Sequence, residues 1–140
     1  MSSLFTRIIE GEIPGTFVWK DDLCVAFMTI APLRPGHTLV VPIEEVDHWI
    51  DLTPRLRRHL FDIAAKIAAA IQDAFDPTKV GLMIAGLEVP HAHLHLVPID
   101  AVHDLDFSNA DDSARREDVE DSAARIRQAL EMRGASGVTG

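Results

Sequence analysis

Three histidines at alternate positions, His91-Ala92-His93-Leu94-His95, concentrate more reactive chemistry than any other stretch of this 140-residue sequence. In an extended chain successive side chains point to opposite faces, which puts the three imidazoles on one side and Ala92, Leu94 and Leu96 on the other. At a rise of about 3.3 Å per residue, neighbouring histidines stand roughly 6.6 Å apart at Cα and the outer two roughly 13 Å. Three readings fit this spacing. The rings can surround one small anion and do nucleophilic and proton-transfer work on it, two of them can share a metal ion, or they can be ordinary core or surface histidines. A regular strand does not bring the outer pair onto one ion, because ligand nitrogens lie about 2.0–2.1 Å from zinc. The only cysteine, Cys24, lies in an apolar run.

The segments around this stretch must position it. Ser2 or Ser3 can cap a short helix over residues 4–10, with Leu4, Phe5, Ile8 and Ile9 as its apolar face and Gly11 as its stop. Two β-prone runs, 17–20 and 23–28, flank Asp21-Asp22 and predict a hairpin. Within them Trp19 and Cys24 are expected to be half-buried packing residues. A proline-bounded loop, 31–36, leads into a strand over 37–42. Thr53 as N-cap and Pro54 at the first helical position open a long helix to about residue 75. Its residues Leu56, Leu60, Ile63, Ala64, Ile67, Ala70, Ile71 and Ala74 recur at spacings of three and four, so one face covers the sheet. Residues 80–85 are expected to form a buried strand joined to the histidine strand by 86–90. From 113 to 133 the pattern is helical again, with Val119, Ala123, Ile126 and Leu130 on one stripe and Gly134 as its stop. His48, His59 and His103 are read as surface residues, and Arg55, Arg57 and Arg58 as a solvated face.

Composition bounds the function. One domain core is expected for 140 residues, and 47% hydrophobic with 25% charged residues is ordinary for a globular chain. A net charge of -9 argues against nucleic acid as a partner, since that binding needs several cationic phosphate contacts. It leaves room for a small phosphate ligand, because a few histidines and backbone N–H groups set the local potential. No run approaches 18 apolar residues, so no membrane span is expected, and a single cysteine suggests a reducing, cytoplasmic setting. Walker, dinucleotide-binding and H-E-x-x-H motifs are absent.

His91-Ala-His93-Leu-His95-Leu-Val97 resembles the His-φ-His-φ-His-φ-φ signature of the histidine triad (HIT) family, where φ is apolar. Residues 35–42, PGHTLVVP, look like that family's earlier block, and residues 5–14, FTRIIEGEIP, like its opening helix and turn. The resemblance implies an α+β fold: roughly five mostly antiparallel strands, one long helix, a short N-terminal helix and a C-terminal helical extension. The resemblance covers about residues 3–99, so the chain is expected to divide into a HIT domain, 1–102, and, from its acidity and helical stripe, an acidic linker with a C-terminal helix, 103–140, packing on the domain or on a second subunit. It implies a homodimer and a purine nucleotide or nucleotide conjugate as small-molecule ligand. The implied reaction is cleavage of P–N or P–O bonds of nucleoside monophosphoryl compounds through a covalent nucleotidyl-histidine. His93, flanked by donors on both sides, is then the nucleophile, with His91 and His95 binding phosphate oxygens and moving protons. His37 is then a supporting residue that fixes a triad tautomer.

By the same resemblance the nucleoside lies against Phe5, Ile8, Phe27, Ile30 and Leu39, each equally readable as core, while backbone N–H groups around Glu88 and Val89 complete the anion site. Zinc-containing relatives carry Cys-x-x-Cys where this chain has Ser3 and Thr6, so no metal or other cofactor is expected. Thr29 replaces a ribose-binding Asp, and Ala85 and Leu87 replace Asn and Gln near the phosphate. Dinucleoside polyphosphate hydrolysis is the enzymatic alternative, the Thr29, Ala85 and Leu87 departures favour a nucleotide-binding sensor without turnover as a second, and a metal-dependent protein is the third.

Overall fold

The computed structural model describes residues 2–139. Ser3 caps helix α1 (Leu4–Ile9), its hydroxyl accepting the Thr6 backbone N–H, and the chain leaves through Gly11 at positive φ. Strands β1 (Phe17–Lys20) and β2 (Cys24–Met28) form the expected hairpin, and β3 (Thr38–Pro42) adds to β2 in antiparallel register. Helix α2 (Pro54–Phe75) starts at the Thr53 cap, whose hydroxyl accepts from Leu56 N–H, and ends at Asp76 in the left-handed region. Strands β4 (Lys79–Met83) and β5 (Leu94–Ile99) complete the sheet in the order β1-β2-β3-β5-β4, antiparallel throughout. Helix α3 (Arg116–Met132) follows two short 3-10 turns. The architecture is the α+β arrangement expected.

Alternation splits the sheet into two faces. Ala26, Val40, Leu94 and Leu96 turn toward α2, whose Leu60, Ile63, Ile67 and Ile71 are buried against them together with Ile126 and Leu130 of α3. The opposite face carries a smaller cluster of Phe5, Val25, Phe27, Leu39 and Val41 under α1. One register row crosses this second face: Phe17, Phe27, Leu39, His95 and Met83 are successive Cα partners. That row is the floor on which the site is built.

Three expectations are corrected. The strand over 80–85 is not buried: β4 spans Lys79–Met83 at the sheet edge and leaves Leu82 42% exposed, because it pairs with β5 on one side only. Trp19 and Cys24 are fully buried instead of half-buried. The histidine strand also starts late, at Leu94. Ahead of it, His91 N–H bonds Val89 O and Ala92 N–H bonds Val46 O, so the backbone is held by loops and not by a ladder. Regular alternation therefore governs His95 but not His91.

Candidate active site

His93 and His95 face one cavity of about 740 Å³ on the second face of the sheet. Phe5 and Ile8 of α1, with Phe27 and Leu39 of the register row, form its apolar wall and floor. Thr29 and Ile30 lie at the end of β2, and Glu88 and Val89 in the connector before the histidines. Of the residues expected at the site, His91 and His37 are the two whose side chains do not line the cavity.

Hydrogen bonds determine each tautomer, because a carbonyl only accepts and a backbone N–H only donates. His93 Nδ1 donates to the His91 carbonyl at 2.7 Å, which leaves the Nε2 lone pair free. Leu33 N–H donates to His37 Nδ1 at 3.0 Å, so His37 Nε2 carries the proton and donates to His95 Nδ1 at 2.9 Å. His95 in turn keeps its proton on Nε2. The rings of His93 and His95 lie 4.7 Å apart, and Phe5 meets His93 edge-on at the same distance. A neutral ring with a free acceptor nitrogen thus stands beside a neutral donor.

Burial keeps these rings neutral. His37 is pushed down to about 3 by burial, with repulsion from His95 and His93 adding to it, and His95 to about 4 by burial and then His93. His93 lies below the ordinary imidazole range for the same reason, partly offset by its bond to the His91 carbonyl and by Glu88.

His91 departs from the expected convergence of three rings. It is completely buried, its Nε2 donates to the Pro42 carbonyl at 2.7 Å, and its Nδ1 accepts from Ser3 Oγ at 2.7 Å. Neither ring nitrogen is available to a phosphate. The physical reason is the loop-held backbone before Leu94, which turns this ring toward α1. Glu45 closes the knot, accepting from Ser3 N–H at 2.6 Å and from the Thr6 hydroxyl at 2.7 Å. Two hydroxyls, one carboxylate and one imidazole saturated by one another do not make a zinc centre of the thiolate type.

A second polar cluster escaped the sequence reading. His59, expected on the surface, reaches from α2 to donate to Asp21 Oδ2 at 2.7 Å, where Trp19 Nε1 also donates and the Cys24 thiol approaches at 3.6 Å. These groups are close enough to share a cation, but Asp21 already accepts from Trp19, Leu23, Cys24 and His59. Also missed were Phe107, whose ring meets His95 edge-on at 5.1 Å, and Ala114, Arg116 and Val119, which bring the C-terminal segment into the cavity wall. Only the helical stripe through Val119 hinted at that contact.

The HIT domain model matches residues 10–102 of this chain. The chain belongs to the HIT family. The protein Hit of Bacillus subtilis is 35% identical over 100 residues, covering 68% of this HIT chain and 69% of its own length. The adenosine 5′-monophosphoramidase of Schizosaccharomyces pombe is 30% identical over 99 residues, 70% of this chain and 74% of its own. Among solved structures, a zinc-bound histidine triad family protein of Mycobacterium smegmatis superposes with a TM-score of 0.80 at 26% identity, covering 96% of both chains. The family includes hydrolases of nucleotide compounds, and no helix of the HIT chain, among the described residues, is long and apolar enough to cross a membrane.

Proposed function

We propose that this HIT protein is a nucleotide phosphoramidase or hydrolase acting through a covalent nucleotidyl-histidine on His93. One observation carries the reading: His93 donates from Nδ1 to the His91 carbonyl, so its Nε2 lone pair is uncommitted in a ring that lines the cavity 4.7 Å from the ring of His95, whose proton is on Nε2. In-line attack forms a bond from Nε2 to the α-phosphorus and breaks the P–N or P–O bond to the leaving group, which takes a proton from solvent. Charge left on the ring is shared with the His91 carbonyl. Water then attacks the same phosphorus, breaks the N–P bond and releases one proton, so each cycle consumes one water and restores neutral His93.

His95 holds its proton through both steps. Its Nδ1 already accepts from His37, so losing the Nε2 proton would leave an imidazolate; the ring therefore serves as a fixed donor to a phosphoryl oxygen. The role of His91 is to present its carbonyl and to lock the loop, not to touch the phosphate. Phe5, Ile8, Phe27 and Leu39 supply an apolar bed for the nucleoside.

The outer edge of β4 has no strand partner among the described residues, whereas β1 is flanked by the bridge from Trp19 to Val138. An unpaired edge with Leu82 exposed supports a homodimer through β4. The lone, buried Cys24 suits a reducing compartment, which supports a cytoplasmic location.

A second reading, nucleotide sensing without turnover, is favoured by the absence of polar side chains at Ala85 and Leu87, the latter 94% exposed at the cavity rim. The deciding experiment offers adenosine 5′-phosphoramidate and diadenosine tetraphosphate to the parent and to His93→Ala. Turnover by the parent, with a nucleotidyl adduct trapped by alkaline quench and seen in intact mass, supports catalysis. Equal rates in the variant sink the nucleophile assignment, and tight binding with no adduct supports the sensor.

A further inference from the structure

The polar cluster at the turn between β1 and β2 joins three kinds of metal-binding group, and the sheet separates it from the cavity. Cys24 and Trp19 belong to the core under α2, on the face opposite Phe27 and the cavity floor. Asp21 and Cys24 bracket a tight turn, closed by the Asp21 N–H on the Cys24 carbonyl at 3.0 Å, and His59 reaches it from α2. Asp-x-x-Cys across such a turn has the spacing of the ligand pairs in structural zinc sites.

The distances fit one small ion. Asp21 Oδ2 lies 2.7 Å from His59 Nε2 and 3.6 Å from Cys24 Sγ, and the three ligand atoms fall within 4.8 Å of one another. Tetrahedral zinc, with bonds of about 2.0–2.1 Å to nitrogen and oxygen and about 2.3 Å to sulfur, holds oxygen and sulfur about 3.6 Å apart and oxygen and nitrogen about 3.4 Å apart. The sulfur is therefore in place, and the imidazole has to withdraw by about 0.7 Å, the difference between 3.4 and 2.7 Å. Of the four bonds that Asp21 accepts, three survive this exchange. Leu23 and Cys24 N–H bond Oδ1 at 2.8 and 2.9 Å, and Trp19 Nε1–H bonds Oδ2 at 2.8 Å, which orients the carboxylate as hydrogen bonds orient metal ligands. Only the proton between His59 and Oδ2 stands where the ion would be.

Charge and access agree with the geometry. Burial raises the Asp21 carboxyl, but the bonds from Trp19, Leu23, Cys24 and His59 outweigh it and hold the group ionised, at about 2. Burial pushes the Cys24 thiol up, so the sulfur keeps its proton until a metal displaces it. One carboxylate and one thiolate neutralise a divalent ion, which suits a half-buried place. Thiolate with imidazole selects zinc-like ions over magnesium or calcium. The side chains of Asp21 and His59 are 23% and 29% exposed, which leaves an entry path and room for water as a fourth ligand.

We infer that Asp21, Cys24 and His59 form a site for one zinc-class divalent cation, which clamps the β1–β2 hairpin to α2. Binding breaks the Cys24 S–H bond, forms the sulfur–metal bond and sends that proton to solvent, while the neutral His59 ring carries its own proton on Nδ1 instead of Nε2.

Cobalt(II) tests the site, because Cys24 is the only cysteine and a thiolate-to-cobalt charge-transfer band can come from nowhere else. The full-length parent, stripped by chelator and kept reduced, should take up one equivalent of cobalt(II) with that band and the visible absorption of four-coordinate cobalt, and zinc should bleach both. Loss of the Trp19 donor in Trp19→Phe should weaken zinc binding by roughly ten- to a hundred-fold, and loss of a ligand in His59→Gln or Cys24→Ala by more than that. His59 is half-buried on α2, so His59→Gln keeps the fold, which circular dichroism checks. No uptake, cobalt bound without the thiolate band, or a zinc affinity in His59→Gln equal to that of the parent overturns the site.

Discussion

Acid should unfold this protein through its own histidines, and the size of the effect follows from the buried relay. His37 and His95 are 2% and 9% exposed, and their folded values lie near 3 and 4 against 6.5 for a free imidazole. A depressed histidine is neutral in the fold and charged in the unfolded chain, so the unfolded state binds more protons as pH falls. The stabilisation is complete above about pH 6.5 and is lost progressively down toward the folded values. Two such groups cost about 4 kcal/mol between pH 7 and pH 5, out of a typical total of 5–15 kcal/mol. The carboxylate of Asp21, held at about 2 against burial by its bonds to Trp19 and the hairpin backbone, does not titrate in that window. Urea titrations at half-unit pH steps measure the slope. His37→Leu should remove about one proton from it between pH 6 and 5 while lowering stability at pH 7, since Leu33 N–H and His95 lose their partner. A stability that stays flat from pH 7 to 5, or an unchanged slope in His37→Leu, refutes the reasoning.

The Ser3 knot gives a separate test: Ser3→Ala removes the α1 cap and strands the buried Nδ1 of His91, for a combined loss of about 2–3 kcal/mol in denaturant midpoint analysis. A loss under about 0.5 kcal/mol, the size of an ordinary surface substitution, would show that Nδ1 finds another donor. For the proposed dimer through β4, Leu82→Lys should shift the species seen by sedimentation from dimer to monomer with the fold retained, because an edge lysine opposes strand pairing. A parent that sediments as a monomer, or identical sedimentation of parent and variant, would refute pairing through β4.

Much of this fold was legible in the sequence because its signals are local. Thr53-Pro54 marks the start of α2, the three-and-four spacing marks its buried face, and Gly11 marks the end of α1. The alternation of histidine and leucine put Leu94 and Leu96 on the face opposite His95, and the structure packs that leucine face under α2. What remained hidden depends on residues far apart in the chain. Ser3 and Glu45 meet at the knot that withdraws His91 from the cavity, His59 crosses to Asp21, and α3 returns to bring Arg116 and Val119 to the cavity wall. Periodicity reports which face of its own element a residue occupies. It carries no information about what packs against that face, and that decision was left to the tertiary fold.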